Sequence, residues 1–139
     1  MTLVCDSSVL VAALSPRDRA HDACAELLER ERATTIPAPV LVEVDWLTRS
    51  RGVHDAMDRL LESVDDASVI VVDLDDEDHR RVRLLLSTYE DLALEFVDAA
   101  VVAIAERLEQ SRIATLDHRH FSVIRPLHVP AFELLPSLD

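Results

Sequence analysis

Four acidic side chains lie in stretches of the sequence where a carboxylate is not expected. Asp6 and Asp117 each end a short run that is typical of a buried strand. Glu43 and Asp98 lie inside apolar stretches that are typical of helices. Burying an unpaired carboxylate is costly, so buried charges are normally paired or bound to a metal ion. No arginine stands three or four residues after Glu43 or Asp98, where it could pair with the acid on a helix.

Each carboxylate also has an ordinary structural explanation. Asp6 could cap a helix, and Asp117 could begin a turn. Asp98 would gain from the dipole of a helix that starts nearby, and Glu43 could lie on an exposed helix face. Taken one at a time, these explanations are as good as a functional one.

The chemistry changes if the four carboxylates share one site. At about 5 Å and an effective dielectric near 20, each like-charged pair costs roughly 3 kcal/mol. Several such pairs would rival the net stability of a domain, about 5–15 kcal/mol. Only a cation could hold the four together as anions, and a site made of oxygen ligands suits Mg²⁺ or Mn²⁺. The predicted strand ends place Asp6 and Asp117 near each other. The sequence pattern alone does not place Glu43 and Asp98 in the same site.

The elements that must position these acids follow from the hydrophobic pattern. The predicted strands are residues 2–6, 34–39, 68–74 and 112–117, and the tail 128–136 is a candidate edge strand broken by Pro130. The predicted helices are residues 7–14, 18–32, 40–51, 53–64, 75–91 and 96–110. Apolar strands joined by helices indicate an α/β fold with a parallel sheet covered on both faces, here a single domain over residues 1–139. Ligand sites of such sheets lie beyond the carboxyl ends of the strands, where Asp6 and Asp117 stand.

Two absences exclude whole classes of protein. Gly52 is the only glycine, so the glycine-rich loops of P-loop and dinucleotide-binding proteins are missing. All 14 basic residues are arginine, which excludes chemistry that depends on a lysine. A receiver-type phosphoacceptor domain, which also has acids at strand ends, is disfavoured for that reason.

The net charge and the cysteines limit the possible partners and the cellular location of the protein. The formal net charge of −13 counts against a nucleic-acid partner on average, although arginines cluster at 49–51, 80–83 and 119–125. The acidic run 73–79 is predicted to be a solvated helix start. Cys5 and Cys24 are expected to be packed, reduced thiols. With no signal peptide or membrane span predicted, we expect a cytoplasmic protein.

The combined pattern resembles the PIN domain, and more closely the VapC-type toxin ribonucleases. The matching stretches are VCDSSVLVAAL, PVLVEVDWLTRSRG, YEDLALEFVDAAVVAIAERL and IATLDHRHFSVIRP. The resemblance implies a three-layer α/β/α sandwich with a mostly parallel central sheet. It implies that Asp6, Glu43, Asp98 and Asp117 bind Mg²⁺ or Mn²⁺ and catalyse cleavage of single-stranded RNA.

Further expectations come with this resemblance. Ser8 and Thr115 match small polar positions, and both are expected to orient the metal ligands. Arg119 is a candidate contact for an RNA phosphate, and His118 and His120 are candidates for moving protons, with plain surface exposure as the alternative for all three. The cut would leave a 5′-phosphate and a 3′-hydroxyl.

The family also implies partners: an RNA substrate, a cognate VapB-like antitoxin that covers the acidic cleft, and a second copy in a homodimer. Trp46, Leu47, Leu10 and Leu14 are candidates for lining the antitoxin groove, with core packing as the alternative for each. Two other functions stay open, a metal-dependent phosphatase of small molecules and a non-catalytic module that inhibits translation by holding RNA.

Overall fold

A parallel sheet forms the centre of the molecule. The computed structural model describes residues 2–138. Its strands are β1 (Leu3–Cys5), β2 (Thr34–Pro37), β3 (Val69–Val72), β4 (Arg112–Ala114) and β5 (Glu133–Leu135). They are hydrogen-bonded in the order β3-β2-β1-β4-β5, and every neighbouring pair is parallel.

Helices connect the strands, as a parallel sheet requires. They are α1 (Ser7–Leu14), α2 (His21–Arg30), α3 (Ala38–Ser50), α4 (Ala56–Asp65), α5 (Asp76–Thr88), α6 (Phe96–Arg107) and α7 (His118–Val123). A single 3₁₀ turn spans Glu90–Leu92. The predicted α/β/α arrangement is therefore confirmed, and so is the short edge strand after Pro130.

Several element boundaries differ from the prediction for local reasons. The helix predicted from residue 18 begins only at His21, because the Asp18 carboxylate accepts a hydrogen bond from Ala20 N (2.8 Å) and holds a turn there. The strand predicted over 112–117 ends at Ala114, and the short helix α7 follows it unpredicted. Gly52, with φ +77°, closes α3 as expected.

The core is aliphatic, and α6 contributes a continuous buried stretch to it. Every residue from 99 to 105 is buried, and four of these seven are alanine, which allows the helix to approach the sheet closely. Cover is incomplete at both edge strands: Ile70 of β3 is 46% exposed, and no residue of β5 is fully buried. This differs from the prediction of a fully apolar strand covered on both faces. Asp98 at the start of α6 is thus carried by a rigid, buried element.

The acidic start of α5 is a solvated helix start, as predicted, except at Asp78. Asp78 is 3% exposed, and its Oδ2 accepts hydrogen bonds from Asp75 N (3.0 Å) and from Arg107 Nε (2.9 Å). The Asp75 carboxylate in turn accepts from Asp78 N (2.8 Å), which completes a capping box. Asp78 therefore ties α5 to the end of α6, and it is the one residue of the run 73–79 that is buried.

Both cysteine thiols are buried and free, as predicted. Burial raises the pKa of the Cys5 thiol far above its ordinary range and that of Cys24 to about 11. Both are therefore protonated at neutral pH and unsuited to nucleophilic attack. Within residues 2–138, no helix is both long and apolar enough to cross a bilayer.

A second ion pair joins α5 to α6. Arg81 donates to both carboxylate oxygens of Glu106, from Nε to Oε1 (2.7 Å) and from a terminal nitrogen to Oε2 (2.9 Å). The Glu106 side chain is 8% exposed and also accepts from Leu127 N (2.8 Å). A buried ion pair stabilises a protein little more than two apolar residues in the same places would. Removing only one partner is costly, because it leaves the other charge buried and unpaired.

We expect Arg81→Met to lower the free energy of unfolding by about 3 kcal/mol, because Glu106 would stay buried without its cation. The control is Arg59→Met, whose exposed pair with Asp55 spans 3.8 Å and should cost less than about 0.5 kcal/mol. Urea unfolding of the two variants measures both. Equal losses would show that the Glu106 carboxylate does not depend on Arg81.

Candidate active site

Asp6 is the most constrained of the four acids. It follows β1 directly and caps α1, with Oδ1 accepting from Ser7 N (2.8 Å). Its Oδ2 accepts from the hydroxyls of Thr115 (2.8 Å) and Ser8 (3.1 Å). The residue is only 4% exposed, and burial raises its pKa despite these hydrogen bonds. Asp6 is therefore a helix cap and also a buried carboxylate at the end of a central strand.

Two hydroxyls connect Asp6 to the segment that carries Asp117. Thr115 Oγ1 donates to Asp6 and accepts from Asp117 N (2.9 Å). Ser8 Oγ accepts from Leu116 N (2.9 Å) and lies 3.4 Å from the Thr115 hydroxyl. Because Asp6 N also donates to Ala114 O (2.9 Å), the ends of β1 and β4 are held together. Ser8 and Thr115 thus contact a proposed ligand, and their role toward a metal ion stays a prediction.

Asp117 caps α7, so the turn explanation is correct as a local description. Its Oδ1 accepts from His120 N (3.2 Å), and its Oδ2 lies 2.9 Å from His120 Nδ1. The latter contact lacks hydrogen-bond geometry. The Asp117 side chain is 36% exposed and stays accessible from the pocket.

Glu43 reaches the same place from α3. This helix begins immediately after β2, and Glu43 lies in its second turn. The Ser7 hydroxyl donates to Glu43 Oε1. This contact joins the first turn of α1 to α3, and no spacing in the sequence indicates it.

Asp98 enters from the first turn of α6, where its Oδ2 accepts from Glu95 N (3.2 Å). Burial, followed by repulsion from Asp6, raises the pKa of Asp98 from 3.8 to about 6, and Asp117 adds to the repulsion. Glu43 likewise contributes to the raised pKa of Asp6. The four carboxylates therefore interact electrostatically, although they lie up to 111 residues apart in the chain.

All four line one open pocket of about 420 Å³ at the carboxyl end of the sheet. The other residues that line this acidic pocket are Ser7, Ser8, Trp46, Leu47, Glu95 and His120. Glu95 was not anticipated; as the residue before α6 it had no signal beyond its charge. A larger pocket of about 530 Å³ also contains acids, but Glu31 there is paired with Arg112.

The remaining candidates divide between this pocket and other places. Arg119 is exposed and lies outside the pocket lining. His118 Nε2 is buried and has no hydrogen-bond partner among residues 2–138. Leu10 and Leu14 are 2% and 9% exposed and belong to the core, which agrees with the packing explanation.

The donors suit a hard divalent cation, because every charged ligand in the acidic pocket offers carboxylate oxygen. The carboxylates are not close enough together to form a closed metal site. Within the described range, no three His, Cys, Asp or Glu side chains form a group that could hold a metal ion. Mg²⁺ keeps several waters and commonly takes one or two carboxylates together with substrate phosphates. The donor set therefore fits such an ion better than one that needs a closed protein shell.

Comparisons with known proteins agree on one kind of fold. A profile of the PIN domain family matches residues 3–125. Ribonuclease VapC26 of Mycobacterium tuberculosis is 27% identical over 135 residues, which covers 96% of this chain and 100% of that protein.

Among solved structures, M. tuberculosis VapC20, described as a sarcin-ricin loop cleaving toxin, has a TM-score of 0.74 at 18% identity, covering 81% of this chain and 87% of that one. A toxin–antitoxin complex from Klebsiella pneumoniae has a TM-score of 0.69 at 16% identity, covering 95% and 100%. VapBC2 of Rickettsia felis, bound to a DNA fragment from its promoter, has a TM-score of 0.68 at 15% identity, covering 98% and 100%.

The raised pKa of Asp98 predicts a gain in stability on removing its charge. Since the folded pKa lies above the ordinary value, the native protein loses stability as the pH rises from about 4 through about 6. In EDTA at pH 7.5, Asp98→Asn should raise the melting temperature by a few degrees, or about 1 kcal/mol after allowing for solvent screening. The gain should vanish near pH 4.

The control for this measurement is Asp91→Asn, an exposed acid in the nearby 3₁₀ turn, which should leave the melting temperature nearly unchanged. A lower melting temperature for Asp98→Asn at pH 7.5 would mean that its bond to Glu95 N outweighs the repulsion.

Proposed function

Because the chain belongs to the PIN domain family, we propose that it is a metal-dependent endoribonuclease and the toxin of a VapBC-type toxin–antitoxin pair. The observation that carries this proposal is the convergence of four carboxylates on one pocket. Two of them, Asp6 and Asp98, have raised pKa values. A fold under no functional demand would avoid this repulsion, and a bound cation would remove it.

The metal ligands in this proposal are Asp6, Glu43, Asp98 and Asp117, and the ion is Mg²⁺ or Mn²⁺. Such an ion would supply a bound water of lowered pKa and stabilise the charge on the scissile phosphate. The products would carry a 5′-phosphate and a 3′-hydroxyl, and no protein nucleophile takes part.

The surrounding residues orient the carboxylates. Thr115 and Ser8 occupy one oxygen of Asp6 from the protein side, so this carboxylate cannot rotate freely. The Ser7 hydroxyl does the same for one oxygen of Glu43. His120 Nδ1 lies 2.9 Å from Asp117 Oδ2 without hydrogen-bond geometry, and His120 stays the candidate in this proposal for moving a proton beside Asp117.

The proposed partners follow from what the relatives are described as binding. The substrate is RNA, because two relatives are described as a ribonuclease and as a toxin that cleaves the sarcin-ricin loop. A VapB-like antitoxin is the second partner, since two of the similar structures are toxin–antitoxin assemblies. A homodimer and a cytoplasmic location complete the proposal.

A phosphatase of small molecules and a non-catalytic RNA-binding inhibitor remain alternatives. A phosphatase would hydrolyse p-nitrophenyl phosphate and leave oligoribonucleotides intact. A binding module would inhibit translation even after the acids are neutralised. Neither alternative is favoured by a particular contact in the acidic pocket.

Glu43→Gln should abolish Mg²⁺-dependent cleavage of RNA by the purified, antitoxin-free protein, with a loss of at least about 100-fold, because a proposed metal ligand loses its charge. The matched control is Asp45→Asn on the same helix. Its carboxylate pairs with Arg49 (2.9 Å) and lies outside the acidic pocket. Cleavage is followed with a fluorescently labelled oligoribonucleotide, and activity retained by Glu43→Gln would remove this residue from the mechanism.

Thr115→Val removes one hydroxyl at nearly constant volume and should weaken metal binding, because Asp6 and Asp117 N both lose a partner. The Mg²⁺ concentration for half-maximal cleavage should rise about tenfold, with activity largely restored at saturating metal. The control is Thr48→Val, a threonine 1% exposed whose hydroxyl bonds Val44 O (2.7 Å). An unchanged metal requirement in Thr115→Val would make the Thr115 contact purely structural.

A further inference from the structure

Trp46, the only tryptophan of the chain, lies largely in solvent beside the acidic pocket. Trp46 is 67% exposed, yet it is one of the residues that line the pocket. Aromatic rings are usually buried where packing is their only role, since each contributes a large apolar area. An exposed ring at the entrance of a site therefore needs another explanation.

Trp46 and Glu43 stand three residues apart on α3 and line the same pocket. Residues three apart are neighbours on a helix surface, with Cβ atoms about 5–6 Å apart. Long side chains on a helix commonly lean toward its N-terminus, which for Trp46 is the direction of the turn that carries Glu43. Val44 and Thr48, on either side of Trp46, are buried, and they fix which face of α3 turns inward. The packing of these neighbours thus places residue 46 on the face of α3 that borders the pocket.

The charge of the pocket favours a partner bound by stacking. The residues that line it include four acids with proposed metal roles and a fifth, Glu95, and among the described residues no arginine joins them. The chain has no lysine, and its net charge is −13. Protein cations beside the reacting phosphate are therefore scarce. Stacking of a base on an aromatic ring needs no positive charge and tolerates any base sequence.

We propose that Trp46 is the platform on which the RNA base next to the scissile phosphate stacks. The inference rests on the proposed ribonuclease function and adds a binding subsite to it. Its occupant is a nucleobase, because the ring and the carboxylates share one pocket and a nucleotide chain that places a phosphate at the carboxylates must place an adjoining base nearby. Trp46 acts as a positioning residue and takes no part in the chemical step.

The first test uses the indole as its own reporter, since no other tryptophan contributes to the fluorescence. An Asp117→Asn background with Mg²⁺ prevents cleavage and leaves the Trp46 wall of the pocket intact. Titration with a single-stranded oligoribonucleotide should quench the emission, and an oligomer made only of abasic ribose phosphates should not. Equal quenching by both oligomers, or by neither, would overturn the proposal.

The second test separates binding from chemistry. Trp46→Ala should raise the KM for a single-stranded oligoribonucleotide about tenfold, with kcat little changed, and Trp46→Phe should recover most of the loss. An abasic residue next to the cleaved bond should raise KM in the native enzyme and have no further effect in Trp46→Ala. The control is Leu84→Ala, which removes a side chain that is 56% exposed on α5 and lies outside the pocket.

The possible outcomes separate a failure of the stacking proposal from a failure of the proposed ribonuclease function. If the native protein cuts no RNA, the proposed function fails. If it cuts RNA and Trp46→Ala keeps the native KM, only the stacking proposal fails, and the exposed ring is left for a protein partner. A rise in KM that shrinks at high salt would also contradict stacking, because salt weakens phosphate contacts and leaves stacking largely unaffected.

Discussion

The structure depends on satisfying one carboxylate, that of Asp6, which is nearly excluded from water at the end of a central strand. Asp6 is 4% exposed, and it is tolerable there because Ser7 N, Ser8 and Thr115 all donate to it. Those donors come from the first turn of α1 and from the residue after β4. Satisfying this one group therefore also fixes how the first helix and the fourth strand meet.

The cost of the acidic pocket is offset elsewhere in the fold. Ionisation of Asp98 beside Asp6 destabilises the folded protein. However, Asp98 stands on α6, whose residues 99–105 are all buried. Two ion pairs clamp α6 to α5, one through Glu106 and one through Asp78. A rigid support of this kind is what allows like charges to stay close without moving apart. The acid proposed for function and the residues that stabilise the helix are therefore different residues of α6.

Only part of the candidate site could be predicted from local sequence patterns. Asp6 and Asp117 could be placed together because the carboxyl ends of parallel strands meet at one edge. Glu43 and Asp98 could be added only through the resemblance to a known family, since nothing in a helix pattern says which helix face meets a strand end. The contact of Ser7 with Glu43 and the place of Glu95 in the pocket depend on side chains from separate helices, so no spacing rule points to them.

By itself, the sequence determined the aliphatic core, the alternation of strands and helices, and the exclusion of nucleotide-binding loops and lysine chemistry. These properties follow from composition and from periodicities of two or about four residues, which act locally. Tertiary structure alone decided that Asp78 is buried, that α7 forms after Asp117, and that Trp46 faces solvent beside four acids. The physical reason is distance along the chain: β1 pairs with β4 more than a hundred residues away, and such pairing depends on the packing of the whole sheet.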